Sequence, residues 1–140
     1  MHSVAAASGH VVEGAGQTII EGGTGGTSPA PVTTTVAFHA TNVGGDFECL
    51  ALASGAPSGS VGSGIFSVNA MYVTGKVTSL DVKGNTATLR GTATVTGLGA
   101  GTDLPFQAQV VGGGPGTTIV LQVSGLTFNE ILIDGRLTVE

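Results

Sequence analysis

The sequence contains few charged residues, and very few of these are basic. Charged residues make up 9% of the 140 residues, and the formal net charge is −5 at pH 7. The basic residues are scattered along the chain: Lys76, Lys83, Arg90 and Arg136. Nucleic-acid binding needs clustered Lys and Arg that neutralise phosphates, and anionic membrane surfaces are disfavoured for the same reason. No apolar run approaches the length of about 20 residues that a membrane-spanning helix requires. We therefore expect neither a nucleic acid nor a membrane as a partner.

The chain has a single cysteine, Cys49, which excludes an intramolecular disulfide. Cysteine content therefore does not indicate a cellular compartment. The N-terminal segment contains Ala5-Ala6-Ala7, a pattern typical of the end of a signal peptide, with cleavage before Ser8. The charged and long apolar parts of such a signal are missing, so an Ala-rich tail is the alternative. The low charge and the abundant Thr and Gly favour an exported protein.

The composition predicts strands rather than helices. Gly accounts for 25 of the 140 residues, and Thr and Val are frequent while Leu, Lys and Glu are few. We interpret residues 1–8 as a tail or signal-peptide remnant, 9–21 as an N-terminal strand, 22–31 as a Gly/Pro linker and 32–140 as the β-domain core. By its length the chain forms one domain. The N-terminal strand is free to pair with the domain's own sheet edge or with a neighbour's, which would give a homo-oligomer through residues 9–21.

The alternation of apolar residues predicts a long hairpin around Gly84-Asn85 that contains one β-bulge. Apolar parity changes between Val77 and Leu80, whereas the partner strand keeps one parity throughout. A bulge at Thr78 and Ser79, opposite Arg90, restores the register. The pairs expected on this basis are Val82 with Ala87, Leu80 with Leu89, Val77 with Gly91, Gly75 with Ala93, and Val73 with Val95.

The remaining pattern extends this meander to about eight strands, each adjacent to the next in sequence. Such an all-β chain closes as an antiparallel meandering barrel or as a two-sheet sandwich, because either limits exposed edges. The last strand is expected to bury Ile131, Ile133, Leu137 and Val139 and to expose Asp134 and Arg136.

The stretch "FHATNVGGDFECL" brings several titratable residues close together in sequence. A loop at 42–45, or a turn at Val43-Gly44, predicts a hairpin with these opposite pairs: Phe38 and Cys49, Ala40 and Phe47, His39 and Glu48, Thr41 and Asp46. Cys49 then shares its face with phenylalanines, which predicts a buried, unreactive thiol rather than a nucleophile. His39 and Glu48 form a cross-strand pair on the other face. Because no third or fourth ligand is near in sequence, we expect no metal site.

Two glycine-rich stretches resemble phosphate-binding loops only superficially. "GLGAG" at 97–101 and "GGGPG" at 112–116 are each flanked by predicted strands on both sides. A dinucleotide fingerprint needs a helix after the loop, so both stretches are interpreted as hairpin loops. The serines lack a G-x-S-x-G elbow. No cofactor is expected.

The face of the bulged hairpin that lies opposite its apolar row is a candidate ligand-binding face. The residues that form it stand in opposite pairs: Tyr72 and Thr96, Thr74 and Thr94, Lys76 and Thr92. This hydroxyl-rich surface could line a polar lumen or bind a sugar or another protein. The alternative is the solvated side of a sheet, where Thr is favoured by its β-propensity alone.

Glu130 lies close to Phe128 near the final strand. A carboxyl beside an aromatic ring can have a raised pKa and act as a general acid. A loop leading into the last strand is the alternative interpretation.

Several stretches together resemble small exported bacterial all-β accessory domains of the kind attached to collagen-like or adhesin proteins. They are "GHVVEGAGQ", "TTVAFHA", "GDFECLAL", "YVTGKVTSLDVKGNTATLRGTATVTG" and "LTFNEILIDGRLTV", which together span about 130 residues. The resemblance implies a secreted accessory or interaction module and carries over no catalytic residue.

Three functions remain open at this stage. The first is a non-catalytic exported module that contacts a protein or glycan partner. The second is a closed barrel that binds a small apolar ligand, with a wall formed by Phe38, Phe47, Phe66 and Phe106. The third is a barrel enzyme of the isomerase or cyclase type, with these candidates for proton transfer: His39, Glu48, Tyr72 and Glu130. The second and third functions depend on which face of the sheet points inward.

Overall fold

The computed structural model of the chain describes residues 9–20, 32–54, 68–97 and 100–140. These residues form a closed antiparallel barrel in which every strand pairs with its neighbours in sequence, and β1 pairs with β8. The strands are β1 Val11–Ile20, β2 Val32–Thr41, β3 Gly44–Ser54, β4 Val68–Lys83, β5 Thr86–Gly97, β6 Gly101–Val111, β7 Thr118–Val123 and β8 Leu126–Val139. The predicted all-β meander of eight strands is confirmed, and a barrel rather than a sandwich closes it. The described part of the chain contains no helix that is long and apolar enough to cross a membrane.

The N-terminal strand is an integral part of the barrel wall. β1 pairs with β2 from Val11 to Ile20 and with β8 from Val12 to Ile20, so it fills the position between the two strands. The Val11 N–H donates to the Glu140 carbonyl at 3.0 Å, and the Glu140 N–H donates to the Val11 carbonyl at 2.9 Å, so this pair continues the β1–β8 ladder. The pairing is therefore with the chain's own sheet. The proposed tail and linker, 1–8 and 22–31, lie outside the described residues.

The bulge predicted in the β4–β5 hairpin is present at its predicted place. The register shifts between Val77 and Ser79, where Ser79 lies opposite Arg90. Thr78 is the extra residue of the bulge, and its hydroxyl donates a hydrogen bond to the Arg90 carbonyl of the opposite strand at 3.4 Å. All five predicted apolar pairs occur, and the tight turn is formed by Gly84 and Asn85.

The predicted register of the β2–β3 hairpin is wrong by two residues. The turn is Asn42-Val43, so Phe38 lies opposite Phe47 instead of Cys49. His39 consequently lies opposite Asp46, not Glu48. The cause is that both glycines belong to β3 rather than to the turn. A Cβ on the second glycine, Gly45, would lie 2.1 Å from the His39 carbonyl oxygen, so the two backbones approach closely there.

The remaining pairs of this hairpin differ in the same way. Cys49 lies opposite Val36, Glu48 opposite Ala37, Ala40 opposite Gly45, and Thr41 opposite Gly44. A shift of two residues keeps every side chain on its predicted face. The interpretation of Cys49 as a buried thiol therefore holds: its side chain is 2% exposed.

The burial predicted for β8 is also partly wrong, because β8, like β4, contains a bulge. Gln17 pairs with Asp134 and Thr18 with Leu132, which leaves Ile133 without an opposite residue. Parity therefore reverses at Ile133, which is 48% exposed, while Leu132 is buried. The expected exposure of Asp134 and burial of Leu137 are observed on the far side of the bulge.

The apolar row of every strand points into the barrel and fills it. The rings of Phe38 and Phe47 are stacked with centroids 5.9 Å apart, and Phe47 lies 5.6 Å from Phe106. Barrels of this strand number are just wide enough for side chains to fill their interior. The Phe106 ring occupies the space above Gly75, where an added Cβ would lie 2.7 Å from its nearest ring carbon. Phe66, the fourth residue of the expected wall, lies outside the described residues.

We expect Gly75→Ala to lower the free energy of unfolding by about 1–3 kcal/mol, because the added methyl group overpacks the aromatic stack. Chemical denaturation followed by circular dichroism measures the change. Gly114→Ala is the matched control, since a Cβ at Gly114 meets no atom within 4 Å. Equal stability of the two variants would contradict the packing described for Phe106.

Candidate functional site

A buried carboxyl group lies inside the barrel, toward the end that carries the β7–β8 turn Ser124-Gly125. Glu130 of β8 points inward and is 2% exposed. Two other inward polar residues lie beside it, on β1 and on the next strand of the barrel, β2: Thr18 is 0% exposed and Thr34 is 2% exposed. These three residues, the Glu130 cluster, therefore connect three consecutive strands across the seam that closes the barrel.

The Glu130 cluster is joined by short hydrogen bonds. The Thr18 hydroxyl donates to Glu130 Oε1 at 2.5 Å, and the Thr34 hydroxyl donates to the same oxygen at 2.7 Å. The two hydroxyl oxygens also contact each other. Hydrogen bonds to a buried polar group offset much of the cost of removing it from water.

Burial raises the pKa of Glu130 above its ordinary value, because the barrel interior disfavours the charged form. The hydrogen bonds from Thr18 and Thr34 act in the opposite direction, since they stabilise the carboxylate. The shift of the Glu130 pKa is upward, so desolvation is the stronger effect. The carboxyl group therefore keeps its proton to higher pH than an exposed glutamate does.

Cys49 lies next to the cluster on β3. Burial raises the pKa of its thiol, and the nearby Glu130 raises it further, whereas a hydrogen bond with Thr34 lowers it. The thiol therefore stays protonated at neutral pH. Since the thiolate is the reactive form, this environment makes Cys49 a poor nucleophile and a poor metal ligand.

A cavity of about 10 Å³ borders the Glu130 cluster. Its lining consists of Thr34, Cys49, Ala51, Met71, Val73, Leu121, Phe128 and Glu130. This volume is on the scale of one water molecule. The interior of the described barrel therefore has no room for an organic ligand beside Glu130 without movement of the surrounding side chains.

Among the described residues, the titratable side chains inside the barrel are Glu130 and Cys49. Catalysis by proton transfer usually pairs an acid with a base at hydrogen-bonding distance of the reacting atoms. Among the described residues, Cys49 is the titratable group beside Glu130, and its thiol remains protonated. The described residues also include no group of three or more His, Cys, Asp or Glu side chains that could hold a metal ion.

The candidate ligand-binding face of β4 and β5 lies on the outside of the barrel. Its residues pair across the two strands as expected: Tyr72 with Thr96, Thr74 with Thr94, and Lys76 with Thr92. All six side chains are exposed. Lys76 Nζ makes a salt bridge of 2.7 Å with Asp46 of β3, which ties its charge to the neighbouring strand. The phenylalanine row therefore faces inward and the threonine row faces solvent.

A shallow depression adjoins this outer face at Tyr72. It has a volume of about 260 Å³ and is lined by Thr35, Val36, Ala37, Glu48, Leu50 and Tyr72. Tyr72 lies directly opposite Leu50, and their side chains are 38% and 37% exposed. We call this site the Tyr72 depression. It combines a partly exposed aromatic ring, an aliphatic side chain, a hydroxyl and a carboxylate on one outer surface.

The structure does not bring together the four residues considered for proton transfer. Glu48 and Tyr72 both line the Tyr72 depression on the outside of the barrel. His39 is also exposed on the outside, beside Asp46, whereas Glu130 is buried inside. The barrel wall therefore separates Glu130 from the other three.

Sequence reasoning missed the two threonines that hold Glu130. Thr34 has the same parity as Val36 and Phe38 on β2, so alternation alone places its hydroxyl inside. Thr18 likewise has the parity of the buried Val12 on β1. The sequence pattern places Glu130 just before the last strand, whereas the structure places it within β8, which begins at Leu126.

Comparisons of the chain with models of protein families, with curated proteins and with solved structures found no match.

The raised pKa of Glu130 predicts a specific pH dependence of stability. A group that binds its proton more tightly when folded stabilises the fold fully below its unfolded pKa of about 4.3, and this contribution is lost as pH rises through the folded pKa. Relative to Glu130→Gln, the wild-type free energy of unfolding should therefore fall with rising pH above this value. The slope of the difference cannot exceed about 1.4 kcal/mol per pH unit for one proton.

Urea denaturation at a series of pH values from about 4 to about 8 measures the difference curve. Glu48→Gln is the matched control, because it makes the same substitution at an exposed position on the outside of the barrel. Parallel profiles for wild type and Glu130→Gln would show that the folded environment leaves this proton unaffected.

Proposed function

We propose that the chain is a non-catalytic, exported interaction module that contacts its partner through the outer wall of β3, β4 and β5. The observation that carries this proposal is the pairing of Tyr72 with Leu50 on the outside of the barrel, both more than a third exposed. Exposed aromatic side chains flanked by polar residues are typical of binding surfaces. Three of the four phenylalanines expected to line a ligand cavity, Phe38, Phe47 and Phe106, instead pack together in the interior.

The composition of the outer wall supports the same proposal. Threonines continue from the Tyr72 depression across β4 and β5, at positions 74, 92, 94 and 96. Threonine side chains are short and stiff, so such a wall presents hydroxyl groups with little loss of side-chain entropy on binding. The resemblance of several strands to exported accessory domains is a further argument for an interaction module.

The proposal is tested by removing the exposed apolar pair. Wild type, the double variant Leu50→Ser/Tyr72→Ser and the control Ile133→Ser are applied to immobilised neutral polysaccharides and to immobilised fibrillar collagen. Ile133 is a matched control because it is also a large exposed apolar residue, on β8 at the opposite side of the ring from β4.

We expect wild type and Ile133→Ser to be retained on at least one of these surfaces. The double variant should bind it at least about tenfold more weakly, as expected for loss of an aromatic anchor. Absence of wild-type retention on every surface, or equal retention of the double variant, would overturn the proposal.

A second candidate function rests on Glu130. Its buried carboxyl group borders the internal cavity, which is otherwise mostly apolar, and this is the arrangement expected where a small apolar ligand with one polar atom is held. Binding there requires displacement of the side chains around the present volume of about 10 Å³.

Native mass spectrometry of gently purified protein distinguishes the two functions. A discrete adduct on wild type that is lost in Glu130→Gln would establish the interior ligand and contradict the interaction module. Bare subunits, alone or in integer multiples, would support the module.

A further inference from the structure

We infer that the Tyr72 depression is a binding site for a neutral polysaccharide, with Tyr72 as the stacking platform and Glu48 as a hydrogen-bond acceptor. This inference rests on the proposed function and specifies its partner. The depression places Tyr72, Leu50 and Glu48 on one surface, and Thr35 and the small side chain of Ala37 lie opposite Leu50 and Glu48 on β2. A sugar ring has apolar C–H faces and a rim of hydroxyl groups, and both kinds of contact are present in this set.

The position of Tyr72 suits the apolar face of a sugar. Tyr72 lies opposite Leu50 on β3 and opposite Thr96 on β5, so side chains of both neighbouring strands flank its position. A tyrosine side chain loses little entropy when a ligand covers it, and its ring attracts C–H groups through its negative face. Because 38% of the side chain is exposed, a ligand can remove additional apolar area from water there.

Polar groups beside Tyr72 suit the sugar hydroxyls. Glu48 is exposed on β3, lies opposite Thr74, and lines the same depression as Tyr72. A carboxylate accepts hydrogen bonds from two vicinal hydroxyl groups, and such charge-assisted bonds are stronger than neutral ones. The Thr35 hydroxyl adds a group that both donates and accepts.

The charge distribution favours a neutral ligand over an anionic one. Glu48 is the charged residue that lines the depression, and the net charge of the chain is −5. The nearest cation along β4 is Lys76, which is already paired with Asp46 at 2.7 Å. Sulfated or sialylated glycans would therefore meet a carboxylate and no unpaired cation at this site.

The dimensions favour a sugar over a protein partner. Stable protein interfaces bury about 800 Å² on each partner around a core of aromatic, Met and Arg side chains. Among the side chains of this wall that the structure describes, the large exposed apolar ones are Tyr72 and Leu50, and the surrounding positions are mainly Thr. A volume of about 260 Å³ suits one ring of a saccharide. The threonine rows at Thr74, Thr94 and Thr96 extend away from that ring, in line with a polymer that occupies further positions.

An array of neutral, sulfated and sialylated oligosaccharides tests the inference with the full chain. We expect binding to neutral members, a loss of about tenfold for Tyr72→Ala, and retention within about threefold for Tyr72→Phe, which keeps the ring. Glu48→Gln should weaken binding several-fold because the amide accepts hydrogen bonds less strongly. Ile133→Ala, on the opposite side of the barrel, should bind as wild type does.

Circular dichroism confirms that each variant is folded before its binding is scored. Binding restricted to sulfated or sialylated members, equal binding by Tyr72→Ala, or no binding to any glycan would overturn the inference. Retention on collagen that depends on Tyr72, without glycan binding, would leave the interaction module standing and replace the glycan by a protein. No retention on any surface would remove both.

Discussion

The close approach of β1 and β8 is the constraint on which the rest of the barrel depends. The sheet closes only if these strands pair, and at Gly16 and Gly135 their backbones are too close for a side chain. A Cβ on Gly16 would lie 2.1 Å from the Asp134 carbonyl oxygen, and one on Gly135 would lie 2.2 Å from that of Ala15. Gly135 also adopts a φ of +113°, which is strained for any residue with a side chain. Both glycines are therefore required for closure.

Close to this approach of β1 and β8, the set of β8 side chains that face the interior changes. β8 bends at this point and carries an extra residue, Ile133, so the strand changes parity between Leu132 and Leu137. Glu130 has the parity of Phe128 and Leu132, the inward residues that precede the bulge, so it faces the interior. The bulge lies opposite the step from Gln17 to Thr18 on β1. The buried carboxyl group therefore lies close to the seam that closes the barrel.

The Glu130 cluster in turn stabilises that seam. Its hydrogen bonds join β8 to β1 and to β2, the two strands that follow the closing ladder around the ring. Removing one partner would leave a buried polar group unsatisfied, which costs about 1–3 kcal/mol. A fully bonded cluster adds specificity to strand pairing, because a slip of one residue on any of the three strands would move its polar side chain to the outside.

Sequence patterns predict this fold wherever the apolar alternation of one strand can be compared with that of its partner. The β4–β5 bulge could be located because uniform parity on β5 exposed the break between Val77 and Leu80. The β8 bulge could not, since its partner segment on β1, Gly14 to Gly16, has no large side chain that marks a face. The β2–β3 register was misjudged for a related reason: glycines fit a turn and a strand equally well. Because the register error was two residues, it left each side chain on its predicted face, and the faces of Cys49 and Glu48 were assigned correctly.

The direction of curvature, which alternation cannot reveal, determines where binding chemistry is available. Closure places the phenylalanine rows inside, where they fill the space, and the threonine rows outside. Burial raises the pKa values of Glu130 and Cys49 inside the barrel, because the interior disfavours their charged forms. The other Asp, Glu, Lys and Arg side chains that the structure describes are exposed on the outside, together with Tyr72. The groups that hold the barrel closed therefore lie on the inner side of the wall, apart from the exposed polar and aromatic side chains on its outer side.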